Sequence, residues 1–350
     1  MANYKNIYGL NVPIRSSDPA YPQIGELWYN STSHTLKGQL NNPAGVWSTG
    51  GATVRTTNFS MSGGTQNAAF VAGGAMNQPG SSINNGALTY NGSTWTVESN
   101  LPTGKYGGGA AGTDSAGLIF AGAAAYGDAT ATITWNGSTW TSASTFPPVG
   151  GPQTPGGAGG TQSSSGTGLS TAALSVGGLG DPPPTRTTRV LDYDGTSWAD
   201  SGNDTPVGNS GSMMDGPNTA AWKAGGSGGA NGNTSFYDGS VWTSGNALNY
   251  PMPQGVTCQG WGPNGNAVAA GGTSSYPTGN KTQTFDGTSW SAGTNLSQSR
   301  VNGAMTTQMA GTGDTGFVTG GYTDPPVGTH TNKTEEYNGP GPATVTLSSS

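Results

Sequence analysis

Short apolar runs ending in paired small residues recur along the chain, separated by polar, turn-rich stretches. Six stand out: AAFVAGG to Gly74, LIFAGA to Ala123, ALSVGG to Gly178, AAWKAGG to Gly226, AVAAGG to Gly272 and GFVTGG to Gly321. They lack clean alternation, which predicts strands buried on both faces. A second pattern interleaves with them: an aromatic, Asn or Asp, Gly, two residues and Trp. It reads YNGSTW at 90–95, WNGSTW at 135–140, YDGTSW at 193–198, YDGSVW at 237–242 and FDGTSW at 285–290. A sixth copy begins at Tyr337 but meets Pro340 and has no Trp, whereas Trp47 in VWSTGG has no preceding aromatic. Asn-Gly or Asp-Gly between strands predicts a two-residue type I′ hairpin. That register sets Leu88 opposite Trp95, Ile133 opposite Trp140 and Leu191 opposite Trp198, with Leu88, Tyr90 and Trp95 on one face.

The six tryptophans at repeat positions, Trp47, Trp95, Trp140, Trp198, Trp242 and Trp290, recur about every 49 residues. The double Gly, the aromatic and the Trp of each unit resemble kelch repeats, as does the placement of Arg300 ahead of its unit. The resemblance covers 43–339, with Gly and Ser in excess of the usual kelch pattern. It implies an all-β fold: a six-bladed kelch-like β-propeller with four strands per blade, in which the tryptophans pack the blades. YGGGAAG after Lys105 and VNGAMTT after Arg300 would then supply innermost strands, where blades crowd the axis. An unclosed ring leaves bare sheet edges. The orphan Trp47 and the Trp-less copy at Tyr337 are complementary, so the strand around Val46 and Trp47 is expected to complete the last blade.

Residues 1–42 stand outside the repeat as an N-terminal arm. Within them GELWYNSTSHTLKG, at 25–38, predicts a hairpin with strands at 26–29 and 35–37. This segment resembles modules near the N-termini of tail, fibre and other virion proteins of bacteriophages, especially phages of aquatic bacteria. The resemblance implies a virion location after assembly in the host cytoplasm, with the arm docking on other virion proteins. An ordinary strand pair packed on the propeller is the plainer alternative. Residues 340–350 carry a β-prone run at 344–347, read as a tail or an added strand.

Composition narrows the chemistry. Glycine supplies 63 of 350 residues and only 8% are charged, against about 25% in ordinary chains. Such a composition suits disordered linkers, but 10 Trp, 13 Tyr and 7 Phe, periodically placed, argue for a folded β protein. The net charge is -6 and the 11 Lys and Arg are scattered, so no groove for nucleic acid is expected. A single cysteine, Cys258, excludes a disulfide framework. The first 29 residues hold no continuous apolar stretch, so neither a signal peptide nor a membrane span is expected.

Catalysis finds little support. His34 and His330 are far apart and without ligand spacing, so no metal site, no cofactor and no copper-oxidase chemistry is expected; a structural Ca²⁺ held by carbonyls and Asp stays open. The YDGTSW turns differ from a sialidase Asp-box, which places Asp two residues before Gly, where Tyr193, Tyr237 and Phe285 stand. The arginines (Arg15, Arg55, Arg186, Arg189 and Arg300) form no cluster in the sequence. No Walker Lys follows the Gly pairs.

The hairpin turns keep one length, whereas the loops after each Gly pair and the links after each Trp vary. In a four-stranded blade these two sets emerge on one face. That face is expected to bind, because loops on a rigid scaffold carry recognition. Its candidates are Tyr126, Arg186, Arg189, Tyr250, Tyr276, Lys281, Tyr322 and His330, contacting a host-surface glycan or a neighbouring virion protein. The expected function is a tail- or fibre-associated structural and binding component of a phage virion, not an enzyme; a homo-oligomer is compatible. A free carbohydrate-binding lectin is the alternative, and a glycan-acting enzyme comes after it.

Overall fold

The computed structural model describes residues 12–19, 23–42, 45–56, 58–75, 83–124, 130–147, 165–180, 185–226, 232–252, 259–262, 265–272, 279–305, 314–323 and 329–347. Tyr126, Tyr276 and Cys258 lie outside them. Two compact units make up the chain: Trp47–Asn338, and Met1–Val46 with Gly339–Ser350. Among the described residues there is no helix, and so none long and apolar enough to cross a membrane.

The larger unit is built around six four-stranded sheets, five of them with their strands in chain order. The first comprises Met61–Thr65, Ala68–Ala72, Ala87–Tyr90 and Trp95–Val97. The second comprises Gly109–Gly112, Gly117–Phe120, Ala131–Trp135 and Trp140–Thr145. Ser165–Leu169, Ala172–Val176, Val190–Tyr193 and Trp198–Asp200 form the third. The fourth runs through Met213–Asp215, Trp222–Ala224, Thr234–Tyr237 and Trp242–Gly245, and the fifth through Gln259–Trp261, Ala267–Ala270, Thr282–Phe285 and Trp290–Ala292. The sixth takes Ala304–Met305, Thr315–Thr319 and Thr334–Asn338 from the end of the repeat, and Val46–Gly50 from its start as the outermost strand. First strands of successive sheets lie side by side, and Ala304–Met305 returns to Met61–Thr65. The sheets therefore close a ring of six blades. The glycine-rich runs after Lys105 and Arg300 do supply innermost strands, Gly109–Gly112 and Ala304–Met305.

Each interface between neighbouring blades holds one apolar cluster, and no cluster belongs to a single blade. The repeat Trp of each blade faces the blade before it: Trp140 meets Phe70 at 5.5 Å between centroids, Trp198 meets Phe120 at 4.5 Å, and Trp95 meets Phe317 at 5.5 Å. Each such side chain withdraws roughly 150–250 Å² from water, worth about 4–6 kcal/mol as an upper bound. The second strands are buried along almost their whole length, as their unbroken apolar runs require.

The hairpins depart from the expected register. The loop spans four residues, so the repeat aromatic itself faces the Trp: Tyr90 with Trp95, Trp135 with Trp140, Tyr193 with Trp198, Tyr237 with Trp242 and Phe285 with Trp290. Leu88 lies opposite Val97, Ile133 opposite Ser142 and Leu191 opposite Asp200. A type I′ turn needs positive φ at both central residues, but only the glycine has it: 86° at Gly92 and 91° at Gly195. The residue before it bends the chain through its side chain instead. Asn91 Oδ1 accepts from the amides of Ser93 and Thr94 at 3.0 and 2.9 Å. Asp194 Oδ1 accepts from Thr196 and Ser197 at 2.8 and 2.7 Å.

The true double-positive positions are the Gly pairs after the second strands: Gly73 and Gly74 at 65° and 100°, Gly177 and Gly178 at 64° and 109°. The second blade puts Ala121, at 55°, in the first of these places. The kinked pair swings its second amide onto the link to the next blade: Gly74 N donates to Lys105 O at 2.8 Å and Gly178 N to Asn209 O at 2.9 Å.

The smaller unit holds one four-stranded sheet of Ile14–Arg15, Leu27–Asn30, Thr35–Asn42 and Gly341–Leu347, in that spatial order. The C-terminal run is thus an added strand, antiparallel to Thr35–Asn42. The hairpin turn is capped by Asn30 Oδ1, which accepts from the amides of Thr32 and Ser33, each at 3.0 Å. Asp18 collects Trp28 Nε1 at 3.0 Å, Asn30 Nδ2 at 2.7 Å and Lys37 Nζ at 2.6 Å. Those hydrogen bonds, the one from Lys37 foremost, hold its carboxyl down at about 2.

Candidate functional site

The ring has two unlike ends. At one end the four-residue hairpin loops sit beside the turns joining first and second strands: Gly92 abuts Asn67, Gly137 abuts Ser115, Gly195 abuts Thr171 and Gly239 abuts Thr219. The other end gathers the loops after the Gly pairs and the links between blades, as the Gly74–Lys105 and Gly178–Asn209 bonds show. The described ends of the variable segments therefore share one face.

The structure separates the candidates on that face into three groups. Arg186 is exposed in the short strand Thr185–Arg186, which pairs with Leu179–Gly180, while Arg189 is ion-paired to Asp200 at 2.7 Å on the rim of the third blade. Lys281 Nζ stands 5.8 Å over the Tyr250 ring. Gln283 fixes that tyrosine through both backbone groups, each at 3.0 Å. Tyr322 and His330 meet edge-on at 5.2 Å in the sixth blade.

The third group is the most elaborated, because it lies where the chain passes from the sixth blade into the first. Thr53 N donates to Asn332 O at 2.8 Å, and Asn332 Nδ2 donates back to Thr53 O at 3.0 Å. Five residues on, Asn58 Nδ2 lies 2.8 Å from His330 Nε2. With the amide donating, the imidazole accepts at Nε2, and burial holds its pKa below the ordinary histidine range. The segment 53–58 is thus an arch pinned at both ends to 330–332, with Arg55 in its span.

Backbone strain concentrates at the same place. Two residues ahead of a blade's first strand the chain turns left-handed: φ is 64° at Gly107 and 62° at Gly211. The first and sixth blades put Phe59, at 54°, and Asn302, at 58°, in that position. Phe59 N donates to Asn302 O at 3.0 Å, so the two strained residues are bonded neighbours. A bulky side chain in this region costs of order 1 kcal/mol or more. Asn302 Oδ1 is buried and has no partner among the described residues.

Other buried cations are structural. Arg300 Nη1 donates to Gly320 O at 3.0 Å and Lys333 O at 2.7 Å, and its Nη2 pairs with Glu335 at 3.0 Å. Lys105 makes the equivalent bonds in the second blade, to Ala121 O at 2.8 Å and Ala131 O at 3.0 Å. Lys223 reaches Thr205, Val207 O and Asn209 at 3.1, 2.9 and 2.5 Å, and burial pulls it down to about 7. Among the described residues no cluster of His, Cys, Asp and Glu could hold a metal ion.

Of the residues gathered at this seam, Tyr322 and His330 were candidates from the sequence, whereas Arg55, Asn58 and Asn302 were not. One signal was available: no Asp or Glu occurs from Leu27 to Val97, so Arg55 has no carboxylate near it in the chain. The pinning of its arch came from residues almost the whole ring away.

This architecture is that of a six-bladed β-propeller carrying a separate small sheet. It is similar to a solved structure described as "Structure of YjhT", at a TM-score of 0.61 and 14% identity, covering 81% of this chain and 95% of that one. At that identity the likeness shows the fold alone. In all, 310 chains of known structure match, so the architecture is common and carries no activity by itself. No family model matches the sequence, and no curated protein does.

Proposed function

We propose that the protein is a structural and binding component of a bacteriophage virion, tail- or fibre-associated, with its variable propeller face turned to a host-surface glycan or to a neighbouring virion protein. One observation carries this reading. The ring repeats one hairpin loop, capped by Asn or Asp, at one end, while the segments whose sequence varies leave and rejoin the described blades at the other. That is how a rigid scaffold for recognition is built. The segment at 25–38, similar to virion modules, supports attachment through the smaller unit, which has its own sheet and its own polar network around Asp18. The reading is of a binder, since Lys105, Lys223 and Arg300 are committed to backbone carbonyls, neutral side-chain oxygens and one internal carboxylate.

The test is to purify particles by density from an infected host, and to locate the protein with a labelled antibody in electron micrographs. It should band with particles and decorate the tail or fibres. An isolated monomer that binds a glycan array but never bands with particles would make it a free lectin instead. Turnover of a polysaccharide, abolished by one Asp or Glu substitution, would overturn the non-catalytic reading.

A further inference from the structure

Arg55 differs from the buried cations Lys105, Lys223 and Arg300. Its side chain is half-buried, and Nε is sealed from solvent with no partner among the described residues. None of the salt bridges among the described residues includes it. A half-buried charge with no partner among the described residues contributes no ion pair to folding. Arg300 and Lys105 show how the same scaffold satisfies a cation that it uses structurally. The position of Arg55 is nonetheless well determined. Its carbonyl accepts from Thr53 Oγ1 at 2.7 Å, the arch is pinned to Asn332 and His330, and its guanidinium sits close against Gly86. A Cβ at Gly86 would fall 1.7 Å from Nη1. A planar fork placed this way, with no partner among the described residues, matches the two oxygens of an anionic group.

We propose that the seam between the sixth and first blades binds an anionic oxygen group, a carboxylate or a phosphate ester carried on a glycan, with Arg55 as its charge partner. His330 and Tyr322, joined to the same arch through Asn58, supply the neighbouring polar and stacking contacts for the sugar. The inference rests on the proposal that this face binds, and names the ligand class.

The experiment uses the full-length protein and three immobilised polymers: polygalacturonate, phosphorylated dextran and plain dextran. The wild type should hold at least one anionic polymer about tenfold more tightly than dextran, with the difference shrinking as salt rises. Binding to polygalacturonate alone would assign a carboxylate, and to phosphorylated dextran alone a phosphate ester. Arg55→Gln should remove the anionic preference and leave thermal stability unchanged or raised, because it deletes an unpaired charge. Gly86→Ala keeps the charge but displaces the guanidinium, and should cost a similar factor. Equal affinity of wild type and both variants for the anionic polymers would overturn the proposal, as would a wild type that prefers neither. A large loss of stability in Arg55→Gln with unchanged binding would make Arg55 structural. In each of these cases, retention on dextran would leave the wider reading of a binding face standing.

Discussion

An indole buried between two sheets must find an acceptor for its N–H, and the repeat meets this need unevenly. The acceptor is the residue three before the repeat aromatic in the preceding blade. Trp47 donates to Thr282 Oγ1 at 3.1 Å, Trp95 to Thr334 at 3.2 Å, Trp198 to Thr132 at 2.9 Å and Trp290 to Thr234 at 3.0 Å. The two remaining places hold Ala87 and Val190, and there the indoles of Trp140 and Trp242 are buried with no partner among the described residues. Removing one partner from a buried pair costs about 1–3 kcal/mol, whereas completing one gains about 1 kcal/mol. Thr132→Val should therefore lower the urea midpoint, and the isosteric Val190→Thr should raise it. Equal shifts of the same sign would show that the hydroxyl acts through packing alone. The threonines are visible in the sequence; their meaning is not, because each serves an indole in the next repeat. Arg55 was hidden for a similar reason, since its lack of a partner is a property of space.

At the scale of the element, the hairpin shows what a motif determines. Asn-Gly and Asp-Gly located every turn, yet the loop is two residues longer than a type I′ turn. Because strand faces alternate with a period of two, that shift of two left every side chain on its expected face, and Leu88, Tyr90 and Trp95 still share one cluster. The turn type escaped notice because the side chain of the first loop residue, by accepting two amides, replaces the second positive φ. This has a pH consequence. Hydrogen bonds from the backbone amides of Ser197 and Ser289, and from that of Val241, depress the carboxyls of Asp194, Asp286 and Asp238. A carboxyl with a depressed folded pKa stabilises fully above its unfolded value, near 3.9, and loses that contribution as pH falls through the folded value. Melting temperature should thus drop as pH is lowered below about 4. The Asp194→Asn, Asp238→Asn, Asp286→Asn triple variant, which copies the amide caps of Asn91 and Asn136, should show a shallower drop. An unchanged acid profile would place the titrating groups elsewhere, Asp18 first among them.

For the whole molecule, the period and the orphan tryptophan made ring closure legible, and the sheet order shows Val46–Gly50 completing the sixth blade. The latch around that strand was not legible. Gly51 is clasped between Trp95, whose Nε1 donates to its carbonyl at 2.9 Å, and the Tyr90 hydroxyl, which accepts from its amide at 3.3 Å. The hydroxyl also donates to Glu336, and burial together with that carboxylate pushes the phenol up to about 12, so it remains a donor. Deleting residues 1–50 removes the strand and leaves Tyr337 without Trp47, its partner at 5.1 Å. The truncated chain should be insoluble or unfolded; a monomeric fragment with a cooperative melt would contradict the closure. The hydrophobic clusters carry the matter further, since every one of them is shared between two blades. In an open array of repeats the terminal unit can fray and the remainder survive. A closed circle has no terminal unit, and one blade lost strips two neighbours at once. A duplicated or deleted unit would therefore have to be accommodated by the entire circumference and not by one interface.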